Sequence, residues 1–199
     1  SFDNTEQEAR AAGVRVCSLA CNLGYAQALA TGLLAGLRIE DYHWFAFMDA
    51  DGQHRGEDMA QLIGEIRADR ADLITGSRWL NRNIDDEPIP AGRRLGMKFF
   101  AWLTRVLTGR QLTDTTSGMK IMKRAVAREL VSQNFGDFHS EILIYLHDRG
   151  YRLAESPIIV HERKVGTSMY SMADAVIYPW KNLILIAVHK LSSQVLKRV

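Results

Sequence analysis

The sequence predicts an α/β fold, a mostly parallel sheet flanked by helices, and three observations carry that prediction. Short apolar runs, "WFAFMDA" and "DLITGSR", take turns with segments of helical apolar spacing, "YAQALATGLLAGL" and "EDMAQLIGEIRA". Residues 44–48 are apolar without a break, as in a strand covered on both faces. Both strand-like runs also end in polar residues, Asp49 and Asp51 after the first, Ser77 and Arg78 after the second. In sheets of this kind ligands bind outside the carboxyl ends of the strands, so two such ends imply one shared cleft.

The elements follow in order. "VRVCSLA" is the first expected strand, then come the helix over "YAQALATGLLAGL", the strand over "WFAFMDA", the helix over "EDMAQLIGEIRA" and the strand over "DLITGSR". A long polar loop with two prolines, "WLNRNIDDEPIPAGRR", is a candidate lid, since loops of that length tend to carry function or to be disordered. "RLGMKFFAWLTRVLTG" reads as a helix stopped by Gly109. "LTDTTSGMKIMKRAVARELV" gives a polar turn, a short strand and a helix, and "FHSEILIYLHDRG" an amphipathic helix closed by Gly150. "YRLAESPIIVHERKVGTS" is a strand running into a basic, glycine-containing loop, and residues 172–199 are helical in pattern with a break near Pro179.

A chain of 199 residues suits one sizeable core. A hydrophobic fraction of 47% and a charged fraction of 24% exclude disordered and collagenous classes. A formal charge of +2 is too close to neutral to argue for a nucleic-acid partner, which would call for a concentrated basic face. Cys17 and Cys21 are expected to be reduced, partly buried thiols, and the polar start "SFDNTEQEAR" does not read as a secretory signal.

Asp49 and Asp51 flank a single residue, so a turn after the strand can aim both carboxylates at one ligand. Buried charge without a partner is costly, and hard oxygen ligands of this kind suit Mg²⁺ or Mn²⁺ bound together with phosphate. Gln53 and His54 offer further ligands or hydrogen bonds. A bare D-x-D also fits a solvated turn, and the flanking residues have to decide.

"DADGQH", with "NLGYAQALATG" upstream and "DLITGSR" downstream, resembles the inverting nucleotide-sugar glycosyltransferases of family 2, which have the GT-A fold. The nearest branch is that of the polyprenyl-phosphate (dolichyl-phosphate) mannose and glucose synthases. "TDTTSGMKIMKR", "FHSEILIYLHDRGYRLAESPI" and "ERKVGTS" match in the same order, so the resemblance spans residues 1 to about 171. At the start, "SFDNT" fits only the end of a family motif, through Ser1, Asp3 and Thr5. The expectation is therefore a catalytic domain over residues 1–171, truncated at its N-terminus, followed by a helical tail over residues 172–199.

The resemblance implies metal-dependent transfer of a hexose from a nucleotide diphosphate sugar to a polyprenyl phosphate at the cytoplasmic membrane face, with Mg²⁺ or Mn²⁺ as cofactor. A soluble or polysaccharide acceptor, or a non-catalytic nucleotide-binding module, are the alternatives. By the same resemblance Asp51 contacts the metal, Asp49 approaches the metal or the ribose, and Gln53 supports them. Asn22 and Gly24 lie beside the nucleotide or simply cap the following helix. Arg78 holds phosphate or anchors the loop after it. Arg93 and Arg94 meet the acceptor phosphate or solvent. Asp114 and Glu141 are cleft acids, neither assigned as base, because an ionised acceptor phosphate needs no strong base; a turn cap and an exposed helix face are their other readings. Arg163, Lys164, Gly166 and Ser168 match a loop that closes on the donor diphosphate. His139, His147 and His161 are read as structural, and Phe99, Phe100 and Trp102 as core or membrane-facing packing. The apolar and basic tail can lie on an anionic membrane surface, pack on the domain or pair with a second copy.

Overall fold

The computed structural model describes residues 4–82, 84, 89–133, 138–161 and 172–196. The elements are α1 (Thr5–Ala11), α2 (Tyr25–Leu37), β1 (Trp44–Phe47), α3 (Gly56–Arg67), β2 (Leu73–Ser77), α4 (Ala91–Thr108), β3 (Lys120–Lys123), α5 (Arg124–Val131), α6 (Ser140–Asp148), β4 (Leu153–Pro157) and α7 (Met172–Leu196). The α/β alternation stands, but the sheet is mixed. Among the described residues its order is β1-β3-β2-β4, with β3 antiparallel to both neighbours and only β2 and β4 parallel. The expectation of a mostly parallel sheet fails at β3. Helix α4 packs chiefly on α6 rather than covering the sheet as a crossover, and the chain returns through residues 110–119 to enter the sheet in the opposite direction.

Strand β2 is buried at every position, whereas β1 alternates, Phe45 and Phe47 buried and Trp44 and Ala46 exposed. Among the described residues the continuously apolar run is thus an edge strand with one open face, not a strand covered on both. Residues 14–20, expected as a strand, are irregular and largely exposed, because no strand among the described residues offers them a ladder. Cys17 and Cys21 are free and exposed rather than partly buried.

One core lies between the sheet and α2, α5 and α6, around Phe45, Phe47, Met122, Leu130 and Ile142. Leu62 and Ile66 of α3 close the other face of the sheet on Ile74, Met119 and Ile121. Both α3 side chains are fully buried, worth roughly 1.5–3 kcal/mol each. Helix α6 is not amphipathic: residues 140–146 are all buried, because α4 and α7 cover the side that the sheet layer leaves open. Gly109, at φ 67°, ends α4 as expected. Helix α7 continues through Pro179 without the expected break. The expected lid loop lies partly outside the described residues.

Candidate functional site

The site is built at the edge of the sheet where β1 and β2 end and β3 begins. After β1 the chain turns at Gly52, whose φ of 77° suits glycine. Asp51 Oδ1 accepts the Gln53 N–H at 3.1 Å, the local bond that Asp favours in a turn. The Gln53 carbonyl accepts the His161 N–H at 2.9 Å, and Gln53 Nε2 donates to the His161 carbonyl at 3.0 Å. His54 also bridges Val160. His161 therefore lies beside the acidic turn. Arg163, Lys164, Gly166 and Ser168 themselves lie outside the described residues.

Asp49 leans over the loop that leads into β3. A Cβ added to Gly118 would stand 2.2 Å from Asp49 Oδ2, so the carboxylate occupies the space a side chain would take. His54 Nε2 faces the same oxygen at 3.7 Å. The imidazole is the main reason that the Asp49 carboxyl sits below its ordinary pKa, against the opposing effect of burial, and the charge of Lys120 adds to it.

Behind Asp49 sits a buried ion pair. Arg78, at the end of β2, donates from Nε to Asp114 Oδ2 at 2.6 Å and from Nη2 to Asp114 Oδ1 at 2.8 Å, and its backbone N–H adds a bond at 3.2 Å. Nη2 also reaches Thr116 Oγ1 at 3.0 Å, and the guanidinium lies 5.2 Å from the Trp79 ring centre. Burial alone would raise the Asp114 pKa, but the charge and hydrogen bonds of Arg78 hold it below the usual carboxylate range. This arrangement is the loop-anchoring alternative for Arg78, and both Asp114 oxygens are engaged in it.

Sequence reasoning passed over three residues here. Glu155 of β4 accepts the backbone N–H groups of Thr113 and Asp114 at 2.8 and 2.7 Å, which fixes the acidic loop to the sheet. Burial raises its pKa, against those bonds. Lys120, opposite Phe47 and Thr75 in the sheet, is only 1% exposed; its amine donates to the Ser117 carbonyl. Burial pushes that amine down to about 8, although the charges of Asp114, Glu141 and Asp49 oppose the shift. His139, read as structural, belongs to the same cluster: burial, then the charge of Lys120, bring it down to about 3. Glu141 is buried at the start of α6 and accepts the His139 N–H at 3.1 Å, so neither an exposed helix face nor a solvated acid describes it. A lysine in the middle of "GMKIM" was the available signal, since lysine is rarely buried unless partnered.

The remaining expected residues lie at the margins. Asn22 Oδ1 accepts the Gly24 N–H at 2.9 Å, and Gly24, at φ 88°, is the residue that precedes α2. Arg93 is exposed and Arg94 half-buried in the first turn of α4, where Arg94 Nη2 donates to the Ile89 carbonyl at 3.1 Å. Beside Thr113 opens a cleft of about 320 Å³ lined by Trp79, Arg82, Met97, Lys98, Trp102 and Arg105. Arg94, Lys98 and Arg105 are spaced four and seven residues apart on α4 and so share one face. That spacing was legible and was missed.

Among the described residues there is no group of three or more His, Cys, Asp or Glu that could hold a metal. The two acids of the turn nevertheless suit an ion that takes few protein ligands and keeps water and phosphate oxygens, as Mg²⁺ and Mn²⁺ do.

The model of the glycosyl transferase family 2 matches residues 1–131. The undecaprenyl-phosphate mannosyltransferase of Micrococcus luteus is 28% identical over 158 residues, covering 69% of this chain and 60% of that protein. The dolichyl-phosphate hexose transferase of Haloferax volcanii is 30% identical over 169 residues, covering 85% of this chain and 70% of that protein. Among solved structures, the glucosyl-3-phosphoglycerate synthase of Mycobacterium tuberculosis in complex with UDP superposes with a TM-score of 0.63 at 16% identity, over 95% of this chain and 65% of that one. That likeness establishes the GT-A type of fold. The chain is shorter than each of these proteins, spanning 60 to 70% of their lengths.

Proposed function

Since the chain belongs to glycosyl transferase family 2, we propose that it transfers a hexose from a nucleotide diphosphate sugar to a polyprenyl phosphate at the cytoplasmic face of a membrane. The observation that carries this reading is the acidic turn of Asp49 and Asp51 at the sheet edge, backed by the Arg78–Asp114 pair. Relatives that act on undecaprenyl and dolichyl phosphate support the acceptor class.

In this mechanism the acceptor phosphate oxygen attacks the anomeric carbon on the face opposite the leaving nucleotide diphosphate, in one displacement with inversion. Asp49 and Asp51, with Gln53, would hold Mg²⁺ or Mn²⁺, which supplies Lewis-acid neutralisation of the leaving diphosphate. Arg163, Lys164, Gly166 and Ser168 would close on that diphosphate, and Asn22 and Gly24 would border the nucleotide. Arg93 and Arg94, with the cationic lining of the neighbouring cleft, would receive the acceptor phosphate, whose negative charge removes the need for a base. Asp114, with both oxygens engaged, orients Arg78 rather than taking a proton.

Two exposed apolar stripes favour an acceptor held in a membrane surface. Leu95, Phe99, Trp102 and Val106 follow one face of α4, and Trp180, Ile184, Val188 and Leu191 follow one face of α7. Both helices pack on α6, and basic residues flank the stripes, which is the composition of helices that lie in a lipid interface. Among the described residues no helix is long and apolar enough to cross a membrane.

The test is transfer of labelled sugar from a panel of UDP- and GDP-sugars into extractable polyprenyl phosphate, with Mn²⁺ or with chelator, and with Asp51→Ala as control. Metal-dependent label in lipid is expected. Label in a soluble acceptor alone would refute the lipid acceptor, and donor binding without any transfer would refute the enzyme.

A further inference from the structure

The buried amine of Lys120 has no place in the chemistry above, and its surroundings give it one. Lys120 opens β3, an inner strand of the sheet, paired across to Phe47 on one side and Thr75 on the other, with its side chain shut off from solvent. Its ammonium reaches back to the Ser117 carbonyl, three residues earlier. Ser117 Oγ in turn accepts the Met119 N–H at 3.2 Å, which tightens the same turn. The peptide between them carries Gly118, and Gly118 is the surface on which the Asp49 carboxylate rests, with 2.2 Å between Oδ2 and the place of an added Cβ.

We infer that Lys120 is a positioning residue for Asp49: by holding the Ser117 carbonyl it fixes the backbone of Gly118, and that backbone sets where the Asp49 carboxylate can stand. The inference rests on the proposed function for what Asp49 does, but not for where it is. Two physical arguments support it. Burying an ammonium is costly without compensation, and a methionine of similar length would fill the space without that cost, so the amine needs a role beyond packing. Gly118 has φ outside the left-handed region, and the three atoms nearest its added Cβ all belong to the Asp49 carboxylate. Its lack of a side chain therefore serves the carboxylate, not the turn.

Positioning and simple charge compensation make opposite predictions. If Lys120 only offset the neighbouring acids, removing its charge would leave a cation bound as tightly or more tightly. If it positions Asp49, removal loosens the carboxylate and weakens cation binding by about tenfold, the usual result of losing a residue that orients a metal ligand.

The experiment compares the chain with Lys120→Met, Lys120→Arg and Gly118→Ala. Free Mn²⁺ is titrated by electron paramagnetic resonance in the absence of any sugar donor, and crystal structures are determined for the chain and its variants. Expected are a displaced Asp49 carboxylate and weakened Mn²⁺ binding in Lys120→Met, near-normal behaviour in Lys120→Arg, and the same Asp49 displacement in Gly118→Ala, where the amine is intact. Lys120→Leu, which also removes the amine, serves where Lys120→Met does not fold. An Asp49 carboxylate in its original place in a folded Lys120→Met or Lys120→Leu overturns the inference, as does unchanged or tighter Mn²⁺ binding in either; Gly118→Ala checks only the contact between Gly118 and Asp49. Because the crystallographic result needs neither metal nor turnover, it decides the inference even where the labelled-sugar assay refutes the proposed function.

Discussion

Replacing Arg78 by methionine should destabilise the domain more than any other change at the site. The substitution removes the two charged donors that meet Asp114 at 2.6 and 2.8 Å and leaves a carboxylate with no exposed side-chain surface. Breaking a buried pair from one side typically costs about 3–5 kcal/mol. Arg78 keeps 21% of its own side chain exposed, and the Arg78 N–H and Thr116 hydroxyl still reach Asp114, so the lower end, about 3 kcal/mol, is expected. For a domain of this size that is a fall in Tm of roughly 6–12 °C. The pH dependence carries the sharper test. In the wild type Asp114 is held below its ordinary pKa, so its pair contributes stability above about pH 4 and loses it as the pH falls through the folded value. In Arg78→Met the same carboxyl, still buried, rises above its ordinary pKa; the variant regains stability by protonation on acidification. Urea unfolding followed by circular dichroism should therefore show a deficit that is largest near pH 8 and narrows toward pH 5. A deficit below about 1 kcal/mol at pH 8, the worth of an exposed pair, would refute the argument, and so would one that does not narrow.

Other outcomes follow from the same structure. Asp51→Ala should abolish sugar transfer while lowering stability by only about 1 kcal/mol, the worth of the lost bond to the Gln53 N–H, since it leaves no buried charge behind; normal turnover with the same Mn²⁺ dependence would remove the acidic turn from the mechanism. Arg124 donates to the carbonyls of Leu37, Ile39 and Tyr42 at 2.6 to 2.8 Å, closing the C-terminal end of α2, so Arg124→Ala should cost about 2 kcal/mol in urea unfolding with no effect on donor affinity. Burial opposes ionisation of Asp72, but Arg152 and Lys123 hold its carboxyl well below the ordinary range. Its contribution is present above about pH 4 and is lost on further acidification, so the stability difference between wild type and Asp72→Asn should shrink below that pH.

The fold was legible where one residue pattern has one physical meaning. Helical spacing located α2 and α3 almost to the residue, and the apolar runs located β1 and β2. Direction in the sheet was not legible, because a strand's pattern is the same read in either sense; only the return path through residues 110–119 makes β3 antiparallel. The same limit explains α6. Its apolar residues suggested one buried face, and nothing local announced that α7 would cover the other. For β1 the error ran the other way, since an unbroken apolar run was read as two-sided burial when the strand lies at an edge.

The site divides along the same line. Asp49, Asp51, Arg78 and Asp114 were found because each ends a strand or sits in a short polar motif, where a charged residue needs a reason. Lys120 and Glu155 belong to regular strands, where alternation assigns a charged residue to solvent by default; Glu141 was named as a cleft acid, but its depth was not. Their burial becomes visible only once β3 is known to be central and α6 to be enclosed. These hidden charges are also what set the visible ones in place: Glu155 holds the backbone of Thr113 and Asp114, and Lys120 holds the peptide under Asp49. A motif in this chain thus names the polar groups at the end of the sheet, while the fold supplies the charges that hold those groups in place. For that reason a substitution at Lys120 in β3 or at Glu155 in β4, outside the acidic turn itself, should disturb the site as surely as one within that turn.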